Sequence, residues 1–185
     1  MSIPNTHLRT VLDGYLCRFP READTVGLLE RALESGHELS SRKEFRVGHA
    51  TAGAVVLDPQ GSVLMIHHNA LDTWLLPGGH LETEDSDLQE ASLRELAEET
   101  GISADQVEAE GITDALPIDL DIHRIPANPV KGEPEHWHFD FRYLYRAQEP
   151  SVRLQAEEVS DHAWRPPTDV PSARLAEKVA RVLGS

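Results

Sequence analysis

Residues 93–102 read LRELAEETGI, and they decide what the rest of the chain must be. On a helical wheel advancing about 100° per residue, Glu98 and Glu99 fall within about 60° of Glu95. Leu93, Leu96, Ala97 and Thr100 gather on the other side. Such a helix buries one side and presents three carboxylates on the other. Like charges three and four residues apart cost about 0.2–0.5 kcal/mol per pair. Arg94 stands beside the cluster and can bridge to Glu90 or Glu98. The plain reading of three clustered glutamates is a solvated acidic face. The flanking residues favour another. PGG (77–79) precedes the helix and Thr100-Gly101 closes it. Glycine lets a backbone carbonyl come close to an ion. Hard divalent cations seek clustered oxygen ligands and often share them with phosphates.

Outward from this helix, the pattern alternates between strands and turns. VGHATAGAVVLD (47–58) and SVLMIHH (62–68) read as strands joined by a PQG turn, and TWLLPGG (73–79) as a short strand running into a glycine loop. The helix is expected over about 86–100, with Gly101 as its C-cap and Ser86 with Gln89 as a capping box. PIDLDIHRI (117–125) and HWHFDFRYLY (136–145) alternate strongly and read as two more strands, separated by a loop containing NPVKGEP. A strand around HAWRPP and a helix over SARLAEKVARVLG close the chain. Before all this, HLRTVLDGYLCRF and DTVGLLERALESG carry apolar residues at helical spacing. Residues 1–44 are therefore expected as an N-terminal helical extension, and 45–185 as the main domain.

The stretch Gly79–Ile102, GHLETEDSDLQEASLRELAEETGI, resembles the signature of the Nudix hydrolases, G-x5-E-x7-R-E-U-x-E-E-x-G-U with U apolar. Gly79, Arg94, Glu95, Leu96, Glu98, Glu99, Gly101 and Ile102 match it. The chain departs at one place. Asp85 stands where the family has glutamate, and eight residues rather than seven separate it from Arg94. The resemblance implies an α/β fold, an α/β/α sandwich with a mixed β-sheet. It implies a metal-dependent enzyme cleaving a nucleoside diphosphate linked to another moiety. Carried over, Glu98 and Glu99 with the Gly79 backbone carbonyl would hold Mg²⁺ or Mn²⁺. Glu95 would be a further ligand there, or would orient or deprotonate the attacking water, and Arg94 would hold the glutamates in place. A proline fifteen residues past the signature, Pro117 here, is a feature of the ADP-ribose pyrophosphatase group. The substrate expected is nucleotide-sugar or ADP-ribose-like, with nucleoside triphosphates next. The alternative is a catalytically silent ligand-binding module on the same fold. An isoprenoid-diphosphate isomerase would need a protonating cysteine, for which Cys17 is a poor candidate. That residue reads as a small buried one in an apolar helix.

A second polar group lies on the later strands. His136, His138, Asp140 and Arg142 share one face of their strand by alternation, and Asp119, Asp121 and His123 share one of theirs. Paired as a hairpin, they would meet on one surface. Three uses compete for it: a solvated polar side, a substrate grip, and a transition-metal site. Lys131 and Glu135, in or beside the loop, are further candidates for substrate contact. His80 is expected near the glutamate site, and Trp74 in the core.

Composition limits the partners. The chain has 185 residues, 39% hydrophobic and 26% charged, with 32 acidic against 17 basic residues and a formal charge of −15. That balance opposes nonspecific binding to nucleic acid or anionic lipid. A small phosphorylated substrate would need divalent cations between it and the carboxylates. No apolar run reaches membrane-spanning length, and the N-terminus lacks a secretory pattern. One cysteine fits a reducing cytoplasm. The N-terminal helices leave a homodimer open.

Overall fold

In the computed structural model, residues 2–110, 116–148, 151–155, 157 and 159–184 are described. Helices α1 (Asn5–Arg18) and α2 (Ala23–Glu34) come first. Strands β1 (His49–Leu57), β2 (Val63–His68), β3 (Thr73–Leu75) and β4 (Gly78–His80) lead into α3 (Leu88–Thr100). Then follow β5 (Val107–Ala109), β6 (Asp119–Ile125), β7 (His136–Ala147), β8 (Val159–Arg165) and α4 (Ala173–Leu183).

The sheet is mixed and built around one parallel pair, β1 with β7, in register from His49↔His138 to Leu57↔Arg146. Every other pairing is antiparallel. Both central strands split their outer partners. The first half of β1 pairs β4, and its end pairs β2. The first half of β7 pairs β6, and its end pairs β5. β1 is buried along its whole length, as a strand covered on both faces must be.

Alternation along β1 and β7 sorts the two faces. Ala50, Ala52, Ala54 and Val56 with Phe139, Phe141, Tyr143 and Tyr145 form the helix face, under Leu88, Ala91 and Leu96 of α3. On the other face, Val55, Leu57 and Leu144 pack against Leu175 and Val179 of α4. The α/β/α layering follows. The alanines of β1 are small because α3 lies close above them.

The N-terminal helices share the larger core through Leu8, Leu12, Tyr15, Val26 and Leu29. A buried ionic latch also holds them. Lys178 of α4 donates to the Tyr15 hydroxyl at 2.7 Å, to Asp119 at 3.0 Å and to Glu22 at 2.9 Å, with its ammonium 4.1 Å from the Phe19 ring. Tyr15 in turn accepts the Leu120 N–H at the start of β6.

Three local expectations are corrected. Cys17 is exposed, not buried, because it lies on the side of α1 opposite Leu8, Leu12 and Tyr15. The N-cap of α3 is Asp87, whose carboxylate accepts the Glu90 N–H at 2.8 Å. Ser86, one residue earlier, donates its N–H and its hydroxyl to the Glu90 carboxylate instead. Trp74 packs against the rim of the second core as a partly buried residue rather than deep inside it, with the Arg165 guanidinium 4.1 Å from its ring.

Candidate functional site

Helix α3 ends as its sequence requires. Gly101 takes a left-handed φ of 70° and its N–H returns to the Ala97 carbonyl. This sets the last turn, which carries Glu98 and Glu99, against β4. The strand is gripped at three successive residues. The Gly78 N–H donates to Glu99 Oε2 at 2.9 Å. A Cβ at Gly79 would sit 2.7 Å from Glu95 Oε2, so any other residue there would push that carboxylate from its place. The His80 carbonyl accepts from Arg94 Nη2 at 2.8 Å. Gly78 has a φ of 155°, and a Cβ there would meet the Gly53 backbone at 2.6 Å, so both its conformation and its space call for glycine.

The three glutamates are not equally solvated. Glu99 is buried at 4% exposure, the Glu95 side chain is 13% exposed and that of Glu98 is 53% exposed. The acidic face is thus folded into the site. Burial pushes the Glu95 carboxyl up to about 7 against the opposing pull of Arg94. Arg94 spreads its guanidinium over four acceptors: Asp85 in a fork at 2.9 and 3.1 Å, Glu95 at 2.9 Å, Glu98 at 3.3 Å and the His80 carbonyl. One guanidinium therefore faces Asp85, Glu95 and Glu98, with Glu99 one turn beyond. The surplus of negative charge is a cation's environment.

Asp85 explains the unusual spacing before the helix. It is buried and takes the Arg94 fork with one carboxylate while accepting the Glu82 N–H at 2.7 Å. An acid one methylene shorter than glutamate reaches Arg94 because the extra residue carries its backbone to the right place.

The hairpin of β6 and β7 forms as expected, with His123 opposite His138 and Asp121 opposite Asp140. It lies on the face of the sheet opposite α3. Its acids are engaged. Asp140 accepts from Thr51 at 3.1 Å and from Arg142 at 2.8 Å, and Asp121 pairs with Arg142 at 2.8 Å and His123 at 3.0 Å. The His123 bond and Arg142 hold the Asp121 carboxyl down at about 2 against the upward push of its burial. Glu135 pairs with Arg124 at the surface, and Lys131 is exposed in the loop. His136 and His138 meet with ring nitrogens 3.3 Å apart.

The structure adds two residues to this group. His80 points to the hairpin side, its ring 5.4 Å from that of His138, while its neighbour Gly79 faces Glu95. His49, at the start of β1, stacks on His136 with ring centroids 4.9 Å apart and meets the tilted ring of His138 at 4.6 Å. Burial above all pushes His49 and His80 down to about 4 and His138 to about 2, helped by the neighbouring rings and, at His80, by the Arg42 charge. His49 left no mark in the sequence, because β1 is buried on both faces and shows no alternation.

A family model for the NUDIX domain matches residues 47–183. A probable DHNTP pyrophosphohydrolase of Lactococcus lactis subsp. cremoris is 35% identical over 129 residues, spanning 70% of this chain and 72% of that protein. An RNA pyrophosphohydrolase of Dinoroseobacter shibae is 30% identical over 124 residues, 64% of this chain and 76% of that one. Among solved structures, the E. coli dihydroneopterin triphosphate pyrophosphohydrolase matches with a TM-score of 0.53 at 15% identity, over 74% of this chain and 96% of that chain. Together with the glutamate helix clamped on its glycine strand, these matches make the chain a member of the Nudix hydrolase family.

Proposed function

We propose that the chain hydrolyses a pyrophosphate bond in a small nucleoside-triphosphate-like substrate, water attacking phosphorus, with Mg²⁺ or Mn²⁺ held by Glu95, Glu98, Glu99 and the Gly79 carbonyl. The observation that carries this reading is the cradle at Gly79, where an absent Cβ leaves room for the Glu95 carboxylate against the glycine strand. The donors are all oxygens, which suits a hard divalent cation. Such a cation, when bound, neutralises the phosphates and lowers the pKa of water. The protein's own groups do the rest. Glu95, whose carboxyl is pushed up to about 7 by burial and so is the more basic when ionised, is our candidate for taking the proton of the attacking water. Arg94 is a positioning residue that holds Glu95 and Glu98 at fixed places on the helix.

Triphosphates move ahead of nucleotide sugars and ADP-ribose because the 35% identical relative bears the name of a DHNTP pyrophosphohydrolase. The charge of −15 favours a small substrate over a nucleic acid chain. Lys131, exposed in the β6–β7 loop, is our candidate for contacting a phosphate. Asp140 and Glu135 serve Arg142 and Arg124 instead.

The test is product release from a panel of nucleoside triphosphates, a pterin triphosphate, ADP-ribose, nucleotide sugars and a 5′-triphosphorylated oligonucleotide, with Mg²⁺ and with Mn²⁺. Glu98→Gln is run beside the wild type. Hydrolysis of a triphosphate that falls by at least about 100-fold in Glu98→Gln is expected, as weakening the hold on a cation that stabilises developing charge costs on that order. Equal turnover in the variant overturns the site. Tight binding of a panel member without product would support the silent-module reading instead.

A further inference from the structure

We propose a second metal site, of transition-metal character, formed by His49, His80 and His138 on the sheet face opposite the glutamate helix. One ring nitrogen from each lies within 4.8 Å of the other two. Three imidazoles on a tetrahedral Zn²⁺ place their nitrogens about 3.3 Å apart, given bonds of about 2.0–2.1 Å. Binding would draw the nitrogens together by at most about 1.5 Å.

The surroundings are prepared for an ion in a way a packed histidine cluster is not. His49 is 1% exposed, and its Nε2 has no hydrogen-bond partner among the described residues. Its Nδ1 lies 3.3 Å from the Glu44 carbonyl, and a carbonyl only accepts, so Nδ1 carries the proton and Nε2 the lone pair. A ligating histidine commonly fixes its other nitrogen on a backbone carbonyl in this manner. His136, next to the trio, is fixed the same way by the Pro134 carbonyl at 2.7 Å, which turns its Nε2 toward that of His138. A buried imidazole lone pair without a donor is a cost unless something electrophilic occupies the site.

The ligands come from three strands, β1, β4 and β7, so the site exists only in the folded sheet. Nitrogen donors choose Zn²⁺, Ni²⁺ or Cu²⁺ over Mg²⁺, whereas the carboxylate cradle chooses hard cations. Two metals are thereby sorted by donor chemistry across one strand. Three protein ligands leave the fourth position for water or for His136. Because the carbonyl of His80 is held by Arg94, an ion on its ring also ties β4 to the glutamate site. The assignment stands independently of the reading proposed for the glutamates.

The experiment uses untagged full-length protein, freed of metal and kept in excess Mg²⁺, titrated with ZnCl₂ against a chromophoric chelator. One equivalent of Zn²⁺ per chain is expected, equally in wild type and Glu98→Gln. His138→Gln and His80→Gln should each lose at least about tenfold in affinity, the scale on which even outer supporting groups act. Zn²⁺ should raise the unfolding temperature of the wild type and leave that of His138→Gln unmoved, which separates ligation from misfolding. No competition with the chelator by wild type overturns the proposal, as does unchanged Zn²⁺ affinity in both histidine variants. Zn²⁺ binding lost in Glu98→Gln alone would place the ion on the glutamates and overturn it equally.

Discussion

Asp85→Asn isolates the feature that departs from the family signature. The side chain is 2% exposed and accepts three hydrogen bonds, two from the Arg94 guanidinium and one from the Glu82 N–H. Asparagine keeps the shape but removes the charge and turns one oxygen into a donor. That donor then faces either Arg94 or the Glu82 N–H, and both are donors. Breaking one partner of a buried ion pair costs about 3–5 kcal/mol. Arg94 keeps Glu95, Glu98 and the His80 carbonyl, so the low end of about 3 kcal/mol applies. For a chain of this size that is a fall of about 6–12 °C in Tm. Asp85→Glu preserves the charge but forces an extra methylene into a buried loop, costing about 1–3 kcal/mol. Urea unfolding of the three proteins at neutral pH measures both. The expected order is wild type, then Asp85→Glu, then Asp85→Asn. A change below about 0.5 kcal/mol in Asp85→Asn, or an Asp85→Glu variant more stable than wild type, would refute the idea that the shorter acid compensates for the inserted residue.

Two other substitutions read other parts of the structure. Gly79→Ala puts a Cβ 2.7 Å from Glu95 Oε2, so the carboxylate must move by about an ångström, and displacement on that scale costs about 100-fold in kcat. Divalent-metal titrations of activity should show the loss, and an unimpaired enzyme would mean Glu95 has no fixed post. Lys178→Met leaves Glu22 and Asp119 buried without their ammonium, a loss of about 3 kcal/mol because Arg174 and Arg142 still reach Asp119. Denaturant unfolding measures it, and a neutral result would mean the latch between the N-terminal helices and α4 contributes specificity rather than stability.

The N-terminal helices illustrate where a sequence stops. Leu8, Val11, Leu12 and Tyr15 announce an amphipathic helix, but nothing in their spacing says what it covers. The answer depends on Lys178, more than 150 residues later, which meets Tyr15 and Glu22 inside the protein. The same holds for the wheel of α3. Periodicity placed Glu95, Glu98 and Glu99 together, yet only packing against β4 divides them into a buried, a half-buried and an exposed carboxylate.

What the sequence determined alone is local. Helical period put the glutamates on one side, Gly101 ended their helix, and strict alternation put His136, His138 and Asp140 on one face of β7. These follow from backbone geometry within a few residues, which a chain carries with it wherever it folds. The tertiary structure decided what is non-local: the parallel pairing of β1 with β7 that brings His49 to His138, the antiparallel pairing of β4 with β1 that turns Gly79 and His80 to opposite faces, and the reach of Asp85 across an extra residue to Arg94. Strand order and register are set by burial summed over the whole sheet, and no single segment encodes that sum.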